Sequence, residues 1–176
     1  MGVTGLQLPF DFRFAWSGAK IALPFVRRGI APEAISSWLL PRLLGNSRAL
    51  SLFLSGATIS ADSPLLHGLY HTLLPTREEV FPAAYAFAQE LAQNTSQTAV
   101  AITKALVWHQ ADTIEEQHIL DSRAIRTLGA AADGAEGTSA FKERRPVKFP
   151  DTLSKNSPSW IPWVCLLLLF ALGGND

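Results

Sequence analysis

Residues 30–45 read Ile30-Ala31-Pro32-Glu33-Ala34-Ile35-Ser36-Ser37-Trp38-Leu39-Leu40-Pro41-Arg42-Leu43-Leu44-Gly45. Pro24, Gly29 and Pro32 mark a loop that leads into this stretch. Pro32 suits the start of a helix, and Glu33 suits a first turn, where a carboxylate complements the positive end of the helix dipole. Ile35, Trp38, Leu39, Leu43 and Leu44 then recur at helical spacing, and Gly45 stops the run. The spacing predicts a helix after Pro32, with Glu33 at its N-terminus.

Outward from there, Ser47 reads as the cap of a second helix that runs to about Leu54 and ends at Ser55-Gly56. Upstream, residues 2–23 have a mixed period that fits a helix over Gly2 to Phe10 and a strand near Phe12 to Ala15. Downstream, Ile59 to Leu66 reads as a short strand and a short helix, and Leu69 to Leu74 as a strand closed by Pro75. Three longer helices follow. The first carries Val80, Ala84, Phe87 and Leu91 on one face. The second, from about Thr98 to His109, carries Val100, Thr103 and Val107 along one stripe, with Ala101, Ala105 and Trp108 beside it. The third starts at Thr113, whose hydroxyl forms a capping box with Glu116, and ends near Leu128. Gly129, Gly134 and Gly137 loosen the next segment before a short helix from Ser139 to Arg145. So few strands leave sheet edges unpaired, so a partner chain or more of the domain is expected.

The 176 residues carry 15 Lys+Arg and 15 Asp+Glu, and this balance argues against capture of nucleic acid by a long-range field. With 48% hydrophobic and 17% charged residues, the chain can build a core, which excludes wholesale disorder. A single cysteine, Cys165, excludes an internal disulfide framework and a cysteine zinc site. No secretory signal opens the chain, so an intracellular setting is expected. Val164 to Leu172 is wholly apolar, yet even when extended back to Trp160 it falls short of the ~20 residues of a spanning helix. Residues 160–172 read as an apolar tail, with a membrane anchor as the minority alternative.

Five local motifs occur in order. Ile30-Ala31-Pro32-Glu33 precedes Leu40-Pro41-Arg42-Leu43-Leu44-Gly45. Leu54-Ser55-Gly56-Ala57-Thr58-Ile59-Ser60-Ala61 and Gly68-Leu69-Tyr70 follow, and Ala140-Phe141-Lys142-Glu143-Arg144-Arg145-Pro146 comes last. Their order and spacing resemble the enoyl-CoA hydratase/isomerase family, also called the crotonase superfamily. Phe25-Val26-Arg27-Arg28-Gly29 and Ser36-Ser37-Trp38 are similar to a subgroup found in bacteria and fungal peroxisomes. The match extends from residue 2 to about 163. It implies an α/β, crotonase-like fold in truncated form, in which a mostly helical C-terminal part carries a few short strands. Residues 1–75 would be the end of the spiral core, 76–150 a helical trimerisation region, and 151–176 a tail. The family's N-terminal half, which binds coenzyme A and supplies the first oxyanion-hole amide, has no counterpart in this match. The resemblance further implies an unsaturated fatty acyl-CoA substrate, coenzyme A as its carrier with no separate cofactor, and a homo-trimer or hexamer. Fatty-acid oxidation or fungal secondary metabolism would be the setting, with a peroxisomal address that Gly173-Gly174-Asn175-Asp176 does not spell.

The same resemblance assigns residues. Gly2 falls at the second oxyanion-hole position. The two glutamates of family hydratases align with Gly5 and Phe25, neither of which transfers a proton. Glu33 is then the catalytic candidate, at a position where another branch of the family carries an aspartate nucleophile; a helix-start glutamate without chemistry is the competing reading. Phe141 and Arg144 align with residues that contact the CoA nucleotide across a subunit boundary, and they read equally as an ordinary basic helix end. Asp11 reads as structural, and Arg27-Arg28 as a solvated turn that could instead meet a phosphate or Glu33. His67 and His71 do not read as a metal pair, Ser36-Ser37 lacks a nucleophile elbow's glycines, and Trp16, Trp38 and Trp108 read as core. Against the enzyme stands a second hypothesis, a non-catalytic remnant or oligomerisation partner that lacks a complete site.

Overall fold

Short apolar runs between turn residues shape the first half of the chain, and the computed structural model, which describes residues 4–160, turns them into four strands of three residues each. The chain divides into two compact units, Met1–Phe87 and Ala88–Asp176. In the first, α1 (Thr4–Gln7) leads into β1 (Phe14–Trp16) and β2 (Lys20–Ala22), followed by a single 3-10 turn at Val26–Arg28. Helices α2 (Ser36–Leu44) and α3 (Asn46–Ser55) come next, then β3 (Thr58–Ser60), a 3-10 turn at Pro64–Leu66 and β4 (Thr72–Leu74). β1 pairs with β4 in parallel, Phe14 opposite Thr72, and β2 pairs with β3 antiparallel, Lys20 opposite Ser60. Among the described residues neither pair gains a third strand, so both keep the free edges expected from the sequence.

The core of this unit lies where α2 and α3 pack together. Leu39, Leu40 and Leu44 of α2 and Ala49, Leu52 and Phe53 of α3 are buried with Leu8, Ile21, Leu23, Leu66 and Leu69. Leu40 and Leu44, one turn apart, place the same helix face inward. Glycine ends α3: Gly56 takes a left-handed φ of 54° and donates its N–H to the Leu52 carbonyl.

Local readings shift at several places. Helix α2 starts at Ser36 and not at Pro32, because Ala34 and Ile35 both adopt a φ of 52° and break the helical path. Ser47 lies inside α3, which begins one residue after Gly45, and its carbonyl accepts the Ser51 hydroxyl at 2.9 Å. Strand β2 went unread because Ile21 and Ala22 merge into the mixed-period N-terminal stretch. Trp38 is 45% exposed with the Arg42 guanidinium 3.6 Å above its ring, and Trp108 is also exposed; of the three tryptophans read as core, Trp16 is the one that is half-buried.

Helix α4 (Val80–Asn94) runs across the division between the units, and Val80, Ala84, Phe87 and Leu91 form its more buried face, as the spacing predicts. The second unit continues with α5 (Gln97–Trp108), α6 (Ile114–Gly129), α7 (Ala132–Glu143) and α8 (Leu153–Asn156). Ser96 caps α5 by accepting the Ala99 N–H at 3.1 Å, and Thr113 caps α6 through the Glu116 N–H at 3.2 Å. Helix α5 buries Thr98, Ile102 and Ala105, whereas Val100, Thr103 and Val107 face outward. It is apolar on several sides, so spacing alone does not select its inner face. Ile102 and Ala124 form a small core with Leu106, Leu128 and Trp160.

Helix α7 is longer than expected, because neither Gly134 nor Gly137 breaks it, and Gly134 serves a close approach. A Cβ at Gly134 would lie 2.4 Å from the Leu128 carbonyl oxygen, and one at Gly137 would meet the Phe149 ring at 3.5 Å. The chain after α7 folds back along it. Arg145 makes a two-pronged ion pair with Glu136, at 2.6 and 2.9 Å, and the Lys148 N–H adds a third bond to the same carboxylate at 2.7 Å. Asp133 and Asp151, both buried, each accept the other's backbone N–H, at 2.8 and 3.0 Å.

The Arg145 hydrogen bonds, with the Lys148 amide second, hold the Glu136 carboxyl down at about 2. Its native value lies below its unfolded one, so the clasp is fully formed above the ordinary glutamate range and is lost as pH falls toward 2. The protection of the Lys148 amide, its exchange relative to an unstructured amide at the same pH, is expected to fall over that acid range in the native sequence. In Glu136→Ala, which removes the acceptor, that protection should already be lost at neutral pH.

No helix among the described residues is long and apolar enough to cross a membrane. Most of the apolar tail read at 160–172, and Cys165 within it, lie outside the described residues.

Candidate active site

Three pieces of the first unit meet around the residues singled out by sequence. α1 carries Gly5, the turn that holds Phe25 packs on α3, and the loop of residues 30–35 carries Glu33. Gly2 lies outside the described residues. A Cβ built on Gly5 would touch the Ala34 Cβ at 3.9 Å, so the Glu33 loop lies against α1 at Gly5. Phe25 is half-buried, its ring 6.3 Å from that of Phe53, and its carbonyl accepts the N–H groups of Arg28 and Ile30 at 2.9 and 3.1 Å. Gly5 and Phe25 offer no group that moves a proton.

Glu33 itself is exposed and stands three residues ahead of α2, not in its first turn. Its carbonyl oxygen accepts both the Ser36 N–H at 3.0 Å and the Ser36 hydroxyl at 2.6 Å, and Ser36 is fully buried. Between them Ala34 and Ile35 are left-handed without being glycine, a conformation that costs roughly 1–2 kcal/mol per residue. Backbone strain of this kind gathers where geometry is held for function.

Arg13 fixes the end of α1. Its Nε donates to the Leu69 carbonyl at 2.7 Å, and one Nη donates to the carbonyls of Leu8, at 3.2 Å, and of Phe10. Burial draws its guanidinium below the usual arginine range, against the opposing pull of Asp11 and Tyr70. Burial also pushes the Tyr70 hydroxyl up to about 12, so it stays protonated at neutral pH. Arg27 donates from Nε to the Ser55 carbonyl at 2.6 Å and lays its stem over Gly56, which ties the turn to the end of α3.

An open cleft of about 610 Å³ runs beside β1 and β2, walled by Phe10, Phe12, Phe14, Trp16 and Phe81 with Lys20 and Arg77 at its margin. A second, of about 770 Å³, is lined by Arg48, Asp62, His67 and Tyr70. Glu33 lines neither. In the second unit Phe141 is 86% exposed near the end of α7, and Arg144 is the exposed left-handed residue that caps it. His71 packs its ring against Phe12 and Phe87, with centroids 5.2 and 4.6 Å apart. No three His, Cys, Asp or Glu side chains converge on a metal position among the described residues. Sequence reasoning missed the Ser36 hydroxyl, the Arg13 carbonyl contacts and the Glu136–Arg145 clasp. The pairing of an acidic residue in α7 with the last arginine before Pro146 was the one signal available.

Short parallel and antiparallel strand pairs under two packed helices, followed by a helical unit, define an α/β chain of crotonase type. The chain belongs to the enoyl-CoA hydratase/isomerase family, whose model matches residues 2–152. It is 41% identical over 157 residues to an enoyl-CoA hydratase of Alternaria alternata, covering 89% of this chain and 53% of that protein. It is 31% identical to the 1,2-epoxyphenylacetyl-CoA isomerase of Escherichia coli, over 82% of this chain and 55% of that one. Among solved structures, a probable enoyl-CoA hydratase/isomerase from Mycobacterium abscessus superposes with a TM-score of 0.78 at 33% identity, covering 84% of this chain and 58% of that one. The chain thus spans about half the length of the curated relatives it matches. Family and fold agree with the expectation drawn from the five motifs.

Proposed function

We propose that the chain contributes the carboxylate side of an enoyl-CoA hydratase/isomerase site that acts on unsaturated fatty acyl-CoA thioesters through a stabilised enolate. Coenzyme A is the carrier of the substrate, and the chemistry needs no separate cofactor. Glu33 takes a proton from C2 of a 3-enoyl thioester, and the electron pair moves into the thioester carbonyl. Backbone N–H groups hold the resulting oxyanion, one of them at the Gly2 position. Glu33 then returns the proton to C4 as the carbonyl re-forms and the double bond settles at C2–C3. Hydration would require a second group to deliver water, and the two positions that supply it in family hydratases hold Gly5 and Phe25.

The observation that carries this reading is the contact of the Glu33 loop with α1 at Gly5. The test is turnover of 3-enoyl-CoA by the chain alone and by the chain fused to the part of the Alternaria relative that it does not cover. Activity that depends on Glu33 supports the reading, and absence of activity from both forms removes it.

For assembly we propose a homo-trimer or hexamer formed through the second unit, where Val107, Ile114, Ile119, Ile125 and Phe141 are exposed. Phe141 and Arg144 would then meet the CoA nucleotide of a neighbouring subunit. Sedimentation should give a trimer or a multiple of it, and Ile119→Glu/Ile125→Glu should shift the mass to the monomer; a monomer before mutation contradicts the proposal. The compartment proposed from the family is the peroxisome, and a fluorescent fusion that stays diffuse in the cytoplasm would oppose it.

A further inference from the structure

We propose that Ser36 is the positioning residue of this site: its buried hydroxyl keeps the left-handed turn at Ala34 and Ile35 closed and so fixes where Glu33 stands. The inference rests on the reading of Glu33 as the carboxylate that moves the proton. Ser36 is 0% exposed, and its hydroxyl and its N–H both converge on the carbonyl of Glu33. A hydroxyl removed from water needs a partner, and that carbonyl provides it.

The two residues between them need holding. Ala34 and Ile35 are both exposed, so burial gives their left-handed backbone no compensation, and neither is glycine. The N–H groups of Trp38 and Leu39 bond the Ile35 carbonyl at 3.0 Å, but those bonds begin α2 and leave the turn ahead of it unconstrained. Among the described residues, the Ser36 bonds span the turn from one end to the other. Because the Ala34 methyl lies 3.9 Å from where a Cβ on Gly5 would stand, the shape of the turn sets how the Glu33 loop meets α1. If the turn opens, Ala34 and Ile35 relax toward ordinary backbone and the carboxylate swings away. Ser36 meets no substrate, so its loss acts on the rate of proton transfer and not on binding.

The test is NMR on the full chain, reading the intraresidue HN–Hα NOEs of Ala34 and Ile35, which are strong at positive φ, and the amide exchange of Ser36. Ser36→Ala should weaken those NOEs and speed exchange at residue 36 by about tenfold or more, while amides in α3 keep their protection. Adding Ile35→Gly, which accepts positive φ without steric cost, should recover part of that protection. Should Ser36→Ala fail to fold, Ser36→Cys, similar in size but a weaker donor, should give intermediate exchange. NOEs and exchange that stay unchanged in the folded variant overturn the proposal. In the fused form, Ser36→Ala should lower kcat by about tenfold with KM unchanged. A raised KM at constant kcat, or full activity with an opened turn, also overturns it. If Glu33→Gln retains full turnover, the assignment of Glu33 fails by itself, because the solution measurements on the turn do not depend on activity.

Discussion

Glu33→Gln is expected to lower 3-enoyl-CoA isomerisation by the fused form about 10²- to 10⁴-fold, the usual range for loss of a positioned acid–base group. The substitution keeps the size and hydrogen-bonding outline of the side chain and removes its basicity. The Glu33 main chain, which makes the contacts with Ser36, is untouched, so the fold should be unaffected. KM should change little, because the amide fills the same space as the carboxylate. A loss of activity accompanied by a lower melting temperature would point to structure and not chemistry. Undiminished turnover would mean that another group moves the proton.

Leu40→Ala is expected to give the largest stability loss in the first unit, about 2–5 kcal/mol. Leu40 is 0% exposed and sits where α2 and α3 meet β2 and the 3-10 turn at Pro64–Leu66. Truncation removes its contacts on every side, and the neighbouring Leu39 and Leu44 belong to the same helix and cannot collapse into the space without bending it. Leu50, equally apolar but 53% exposed on α3, provides the control: Leu50→Ala should cost well under 1 kcal/mol. Urea unfolding of both variants measures the contrast. Equal effects would mean that the packing of α2 on α3 does not hold this unit together.

Much of this was legible in the chain because it is written in residue types with fixed meanings. Gly45 and Gly56 end helices, Thr113 begins one, and the ordered motifs from Ile30 to Pro146 identify the family. Other features left no such mark. Nothing in the letters of Ala34 and Ile35 announces a left-handed backbone, so Pro32 and Glu33 read as a helix start when they belong to a turn. The glycines of α7 have the ambiguity of their type: Gly134 reads as a breaker, yet it is there because the Leu128 carbonyl leaves no room for a Cβ. Helix α5 failed for a different reason, since apolar residues on several sides make its inward face a matter of what packs against it. The site is half legible for the same reason. The motif offers Glu33 as the candidate carboxylate, but the buried Ser36 that donates to its carbonyl looks ordinary in sequence.

The most direct measurement is the ratio of two activities of the fused form, isomerisation of a 3-enoyl-CoA against hydration of crotonyl-CoA. A site with Glu33 as its one proton-moving carboxylate, and with Gly5 and Phe25 where hydratases carry glutamates, predicts isomerisation with hydration at background. Hydration as fast as isomerisation, or turnover of neither substrate, would contradict it.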